Sequence, residues 1–389
     1  MGLFKCWIDR QKRTVTGTFD GNGAEITADC ILFAETDGAV IKNVNINSHV
    51  YNEKSAGIVQ VANNTSIDNC DIYISLNYGI CGGIAAEAYN STITNCCVTA
   101  TGYIYEFGGI VYSTSGNTVI ANCVLKNSGV NVTSLYGGIV GEACGKTEIY
   151  NCANSDIFNS RRSGGIVSYA EMSGLTLENN MYYEENDCYD VYYDIEKDEC
   201  ISQMVDKDST VSEQDAEGLY IPAKLNEYVR ANPNQVKGTT LKTWGVDYNN
   251  EPCFANNKNP EFYLIKQSGV KADTLINGNY ARGALPGYKV TVCGIADGAV
   301  VAVTDVNGND IKLTKNEDGY EFTMPKCDVT VSAVLDTGIS ETTVIDGKTY
   351  VVVKNASDFV KAEKSIADGN KRIKRIYSRE YKAYGRGIG

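Results

Sequence analysis

The stretch Gly82-Gly83-Ile84-Ala85-Ala86-Glu87-Ala88-Tyr89-Asn90-Ser91-Thr92-Ile93-Thr94-Asn95-Cys96-Cys97-Val98 contains both signatures that repeat along this chain. The first, Gly-Gly-Ile, returns at Gly108-Gly109-Ile110, Gly137-Gly138-Ile139 and Gly164-Gly165-Ile166, with Ala56-Gly57-Ile58 as an earlier variant. The steps between the isoleucines are 26, 26, 29 and 27 residues. The second, Asn-Cys, occurs at Asn69-Cys70, Asn95-Cys96, Asn122-Cys123 and Asn151-Cys152. Weaker copies extend the series to Leu32 and Asn43-Val44 upstream and to Asn179-Asn180 downstream. Self-similarity at this period marks a stacked-repeat architecture.

Within a unit, Ile67 to Ile72 and Ile93 to Val98 alternate apolar and polar residues as half-buried strands do. The Gly-Gly-Ile segments are short, β-branched and bounded by glycine. No amphipathic helical stripe runs through residues 30–180, and there is no leucine framework, so helical and leucine-rich repeats are set aside. Two or three short strands cannot bury a face alone and must stack on their neighbours. The spacing therefore predicts a mostly β protein: a parallel β-helix of about six coils of 26–29 residues, with coils about 4.8 Å apart. Matching residues then lie above one another. Ile58, Ile84, Ile110, Ile139 and Ile166 form a core seam, each worth about 1.5–3 kcal/mol on burial. Asn43, Asn69, Asn95, Asn122 and Asn151 form an amide ladder at a bend, each donating to the next coil's carbonyl. Paired glycines allow positive φ or close backbone approach. Cys70, Cys96, Cys123 and Cys152 run parallel like rungs, not toward one point as tetrahedral zinc requires, and read as small core fillers.

The whole chain has 389 residues, enough for two or three domains, and a net charge of −13, which argues against broad binding to nucleic acid or anionic lipid. Fourteen cysteines are too few for a disulfide-built scaffold. No run of about 18 apolar residues is present, so direct membrane insertion is not expected. Charges in Met1 to Arg10 stand where a signal peptide needs its apolar stretch.

Thr16-Gly17-Thr18-Phe19-Asp20-Gly21-Asn22-Gly23 followed by Ala24-Glu25-Ile26 resembles the opening strand of bacterial proteins with GLUG-type repeats, usually F-x-G-x-F-D-G-N-G-H-x-I, with Ala24 in place of histidine. The Asn-Cys and Gly-Gly-Ile units are similar too, as is a close through Leu225-Asn226, Trp244 to Asp247 and Glu251-Pro252. The resemblance covers residues 15 to about 265. It implies a secreted or surface-displayed bacterial protein concerned with adhesion, whose partner is a host or bacterial surface glycan or protein. The motif also occurs in some IgA-cleaving peptidases outside their catalytic part, and it carries no catalytic residue.

The expected domains are 1–180, the β-helix; 181–270, an acidic linker and cap on the last coil; 271–336, a small antiparallel β-sandwich-like domain; and 337–389, a strand-helix segment. Within the acidic linker, Glu184, Glu185, Asp187, Asp190, Asp194, Glu196, Asp198 and Glu199 read as solvated surface. Calcium is the alternative there, but no D-x-D-x-D-G loop is present and no cofactor is expected. A short helix is predicted at 222–231 with Pro222 at its first position. Strands around 288–292, 300–304, 319–324 and 328–333 build the third domain, which resembles internalin-type B repeats. A strand at 348–353 and a helix from about Ser357 to Gly369 resemble the N-terminal cap of a further β-helix, so the chain is expected to be a piece of a longer tandem array.

A catalytic role is not expected. Glu87 and Glu142 fall on equivalent outward positions two coils apart, about 10 Å, at the outer limit for paired glycosidic carboxylates, with Arg161-Arg162 at a corner. They read as solvent-face charge, with a polysaccharide lyase or hydrolase as the lesser alternative. His49, the one histidine, is placed in a loop with no nucleophile around it. Binding has better material in the 26 tyrosines, chiefly Tyr103, Tyr105, Phe107, Tyr112 and Tyr136, with Phe107 and Tyr136 expected as neighbours on one face.

Overall fold

The computed structural model describes residues 14–50, 53–126, 129–156, 162–183, 189–197, 199–203, 210–211, 220–247, 251–269, 272–295, 299–335, 342–345, 348–353 and 376–378. The chain divides into two compact units, residues 1–264 with 281–286, and residues 265–280 with 287–389.

The first unit is a parallel β-helix of about six coils. Along one face, Val59–Asn63 pairs with Ala85–Tyr89, then Val111–Ser115, Val140–Ala143 and Arg162–Ala170, always parallel. A second face stacks Ser66–Asp68, Thr92–Thr94, Asn117–Ala121, Lys146–Tyr150 and Leu175–Glu178. The third carries Asn45–Val50, Asp71–Asn77, Cys97–Gly108 and Val130–Gly137. Ile58, Ile84, Ile110, Ile139 and Ile166 are fully buried, and the backbone N–H of each of the first four donates to the carbonyl of the next. The predicted seam is therefore in register at both side chain and backbone.

The ladder forms at a corner where Asn43, Asn69, Asn95, Asn122, Asn151 and Asn179 all take φ between 52° and 56°. Asparagine tolerates this left-handed conformation, and its amide is free to bond along the stack. Asn69 Nδ2 donates to Asn43 Oδ1 at 2.6 Å, Asn122 to Asn95 at 2.8 Å, Asn151 to Asn122 at 2.7 Å and Asn179 to Asn151 at 2.7 Å. The direction is opposite to that expected, since each amide donates to the coil before it. Asn43 ends the series on Asp20 Oδ1, and Asn95 turns aside to Asp68 Oδ1. The paired glycines do not use positive φ; close approach requires them. A Cβ at Gly83, Gly109 or Gly138 would collide with the carbonyl oxygen of the following coil's glycine.

Cys70, Cys96, Cys123 and Cys152 are buried free thiols, each donating to the carbonyl two residues back at 3.1–3.4 Å. Burial pushes the Cys96 and Cys123 thiols well above the ordinary range, so they remain protonated fillers.

Segment 220–254 lies along the flank of the helix, not over its last coil as expected. Its α-helix, Tyr220–Ala231, begins two residues before the predicted start, so Pro222 sits in the first turn, where its missing N–H costs nothing. Leu225, Val229 and Trp244 pack on Ala121, Val124, Tyr150 and Ala153. The chain beyond the helix then bonds to the ladder through residues 240–244. Asn95 Nδ2 donates to the Thr240 carbonyl, Lys242 N–H donates to Asn95 Oδ1, Asn122 Nδ2 donates to the Lys242 carbonyl, and Trp244 Nε1 donates to Asn122 Oδ1 at 2.8 Å. Lys242 Nζ also bonds to Asn69 Oδ1, and Lys126 pairs with Asp247 at 2.9 Å. On one face the stack ends in a hairpin, Tyr189–Asp194 pairing parallel with Arg162–Ala170 and antiparallel with Glu199–Gln203, while on another Thr210–Val211 still pairs parallel with Met181–Tyr183. A hairpin there limits the unpaired edge that a last coil exposes.

This placement also corrects the reading of the acidic run as wholly solvated. Asp190 and Asp194 are buried, Asp194 pairing with Lys197 at 3.0 Å, whereas Glu196 is exposed. Glu184, Glu185, Asp187 and Asp198 lie outside the described residues.

In the second unit, Lys289–Cys293 pairs antiparallel with Gly319–Thr323, and Ala299–Asp305 with Val329–Leu335. Val290, Val292, Val303, Phe322 and Val331 are buried. Among the described residues up to 335, one pairing of this unit departs from an all-antiparallel plan: residues 265–269 lie parallel to 329–333, which brings the start of the unit forward to Ile265. Thr342–Ile345 and Lys348–Val353 form an antiparallel pair, and the helix expected after them lies outside the described residues.

Asn122 makes four ladder and flank bonds while buried and left-handed. Asn122→Ala should lower stability by about 3 kcal/mol or more, through unpaired amides and backbone strain. Asn122→Gly should be less damaging by about 1 kcal/mol because glycine accepts the backbone conformation. Urea midpoints of the two variants check both the loss and the order.

Candidate functional site

The residues expected to bind do not share one surface. Tyr103 and Tyr105 are exposed at 68% and 51%, whereas Phe107 and Tyr136 are fully buried and Tyr112 nearly so. Phe107 and Tyr136 are paired in register with ring centroids 6.2 Å apart, but the face they share is the core. The chain turns a corner between the paired stretches 97–103 and 106–108, as the coil before it does between 71–77 and 80–82, so the alternation restarts there and Phe107 lies inside, opposite buried Cys81. Tyr136 follows by register, and its hydroxyl donates to Asn154 Oδ1 at 3.2 Å.

Tyr103 and Tyr105 instead join Tyr78 on the neighbouring rung. Tyr78 is 74% exposed with φ of 73°, its N–H donating to the Tyr103 carbonyl, while Tyr105 N–H donates to the Gly79 carbonyl. A bulky residue in this region costs about 1–3 kcal/mol. Exposed as it is, the ring gains little from burial to offset that cost. The same sheet face carries a polar grid: Asn47, Tyr73 and Thr99 stand in one row, His49, Ser75 and Thr101 in the next, and Asn77 beside Tyr103. His49 is thus in a strand, contrary to the loop expected. Rigid tyrosines among Asn, Ser and Thr are the composition of recognition surfaces, because the rings lose little entropy and the short polar groups adapt.

A second constellation lies on the Gly-Gly-Ile face. Glu87, Ser113, Glu142, Tyr169 and Tyr193 occupy successive rungs, so the two glutamates are two rungs apart as expected. Lys54 pairs with Glu87, and its Nζ is 6.0 Å from the Tyr112 ring centroid. The Tyr112 hydroxyl donates to Glu106 Oε2 at 2.6 Å, and Glu142 Oε1 lies 3.2 Å from the same hydroxyl. Burial raises the Glu142 pKa, with the Glu106 charge adding to it against the opposing bond from Tyr112. Glu142, Cys144, Arg162, Tyr169, Tyr192, Tyr193 and Ile195 line an open cleft of about 640 Å3. Tyr169 lies 4.8 Å from Tyr193 and stacks on Tyr192 at 6.4 Å. The repeat spacing points to Glu87 and Glu142, with Arg162 at a corner, but carries no signal for Glu106, Lys54 or Tyr169. Arg161 lies outside the described residues. Among the described residues no group of three or more His, Cys, Asp or Glu is arranged to hold a metal, and no helix is long and apolar enough to cross a membrane.

No family model and no curated protein matches the chain. Among solved structures it is similar to one described as a "putative immunoglobulin A1 protease from Bacteroides ovatus", at 20% identity and a TM-score of 0.40, over 61% of this chain and 76% of that one. That finding corrects the expectation of a chain with no enzymatic role. At this level of likeness neither a residue nor a reaction transfers.

Burial separates the predicted tyrosines energetically. Tyr136→Ala should cost about 3–5 kcal/mol and Tyr103→Ala less than about 0.5 kcal/mol, with denaturant unfolding as the check.

Proposed function

We propose that this chain is a surface-displayed or secreted bacterial adhesion module, a β-helix shaft that binds an extended glycan across the face carrying Tyr78, Tyr103 and Tyr105. The observation that carries this reading is the exposure of three tyrosines on adjacent rungs, one held outward by a left-handed backbone. A sugar ring stacks on a tyrosine face, and its hydroxyls meet the Asn, Ser and Thr side chains of the same sheet. A protein partner is less well served, since this face offers flat rings and short polar groups in place of the pocketed apolar anchors that dominate such interfaces. The stacked backbone keeps the rings in place before binding, which reduces the ordering cost. The resemblance to GLUG-type surface proteins supports the same placement outside the cell.

A glycan array probed with the full chain tests the reading. Saturable binding should fall at least tenfold, about 1.4 kcal/mol, in Tyr78→Ala, Tyr103→Ala and Tyr105→Ala, with melting unchanged. Binding undiminished in the triple variant, or no glycan bound by the wild type, would contradict it.

A further inference from the structure

The cleft beside Glu142 has a chemistry unlike that of the tyrosine face. One wall is aromatic, built from Tyr169, Tyr192 and Tyr193, and the polar groups are a carboxyl, a thiol and the guanidinium of Arg162. Its volume falls in the range of small-ligand sites, which are largely apolar with a few placed polar groups. We propose that this cleft binds a pyranose bearing a carboxylate, with Arg162 on the carboxylate, the tyrosine wall against the ring and Glu142 beside it.

The geometry around Tyr112 explains how a glutamate can sit in an anion site. A phenol has one proton. Tyr112 gives it to Glu106 at 2.6 Å, and burial and that carboxylate keep the phenol protonated. The longer 3.2 Å contact from Tyr112 to Glu142 shares that one proton, and so supports a charged Glu142 only weakly. The groups facing Glu142 are Tyr112, Glu106, Cys144, Arg162 and Tyr169, with Lys54 beyond them held by Glu87. Burial and Glu106 favour its neutral form, whereas Lys54 and the Tyr112 bond oppose it. Burial also pushes the Cys144 thiol up to about 11, the Glu171 charge adding to the effect, so no thiolate competes in the cleft.

The sign of the pH dependence follows. A raised pKa keeps Glu142 neutral to higher pH, and a bound carboxylate favours the neutral form further. Affinity is therefore highest below the Glu142 pKa and falls as pH rises through it. Arginine is the apt partner because its planar fork meets a carboxylate with two bonds.

Isothermal titration of the full chain with oligosaccharides ending in glucuronate, galacturonate or sialate, each against its neutral counterpart, tests the site at about pH 5 and about pH 8. At least one acidic probe should bind tenfold or more tightly than its counterpart, and better at the lower pH. Arg162→Ala should abolish that preference and Arg162→Lys restore part of it. Glu142→Gln, which fixes a neutral side chain, should bind equally at both pH values. Tyr103→Ala should leave all of this unchanged, so that failure of the glycan-adhesion reading and failure of this site are told apart. Absence of binding by every acidic probe, equal binding of the neutral sugars, or a preference that survives Arg162→Ala in a folded variant would overturn the proposal.

Discussion

Each coil of this β-helix turns a corner at an asparagine in the left-handed region, and that side chain bonds back to the coil before it, to an asparagine amide at four corners and to Asp20 or Asp68 at the other two. Both properties have to be met by one residue. A larger side chain would be strained in that backbone conformation, and glycine would leave no group to bond along the stack. The corner fixes the rise from coil to coil, and the isoleucine seam and the closely approaching glycines follow from it. A residue with a Cβ at Gly109 would push its coil away from the next and pull the amides apart.

The ladder also determines what the flanking segment can do. Asn95 and Asn122 have bonding capacity beyond the stack, and residues 240–244 use it. The flank packs Trp244 and the helix Tyr220–Ala231 over apolar side chains on the same side. One corner of the solenoid is thereby covered, while the tyrosine grid and the Glu142 cleft stay open to solvent. The rigidity of the shaft and the position of its free surfaces thus have a common origin, as expected where function is carried by sites on a repetitive frame.

The periodic part of this structure was legible because stacking like on like leaves the same residue at the same step, so Ile84, Ile110 and Ile139, or Asn122 and Asn151, announce themselves. What escaped the sequence lies where the period breaks. The corner after Ile104 restarts the alternation and puts Phe107 and Tyr136 inside, and no composition signal marks it. The flank was read as a cap because its helix could be seen but its partners, more than a hundred residues away at Asn95 and Asn122, could not. At the cleft, Glu87 and Glu142 follow from the repeat, whereas Glu106 reaches Tyr112 and Glu142 from an adjoining face that only the folded coil brings near.

If the asparagine ladder couples the coils, they share one stability and do not open one by one. Hydrogen exchange read by mass spectrometry, peptide by peptide, on the wild type and on a variant with Asn151 replaced by alanine, measures this most directly. The account predicts that peptides spanning residues 85–178 lose protection together, including those two coils from the substitution. Faster exchange confined to the peptide carrying residue 151 would contradict it.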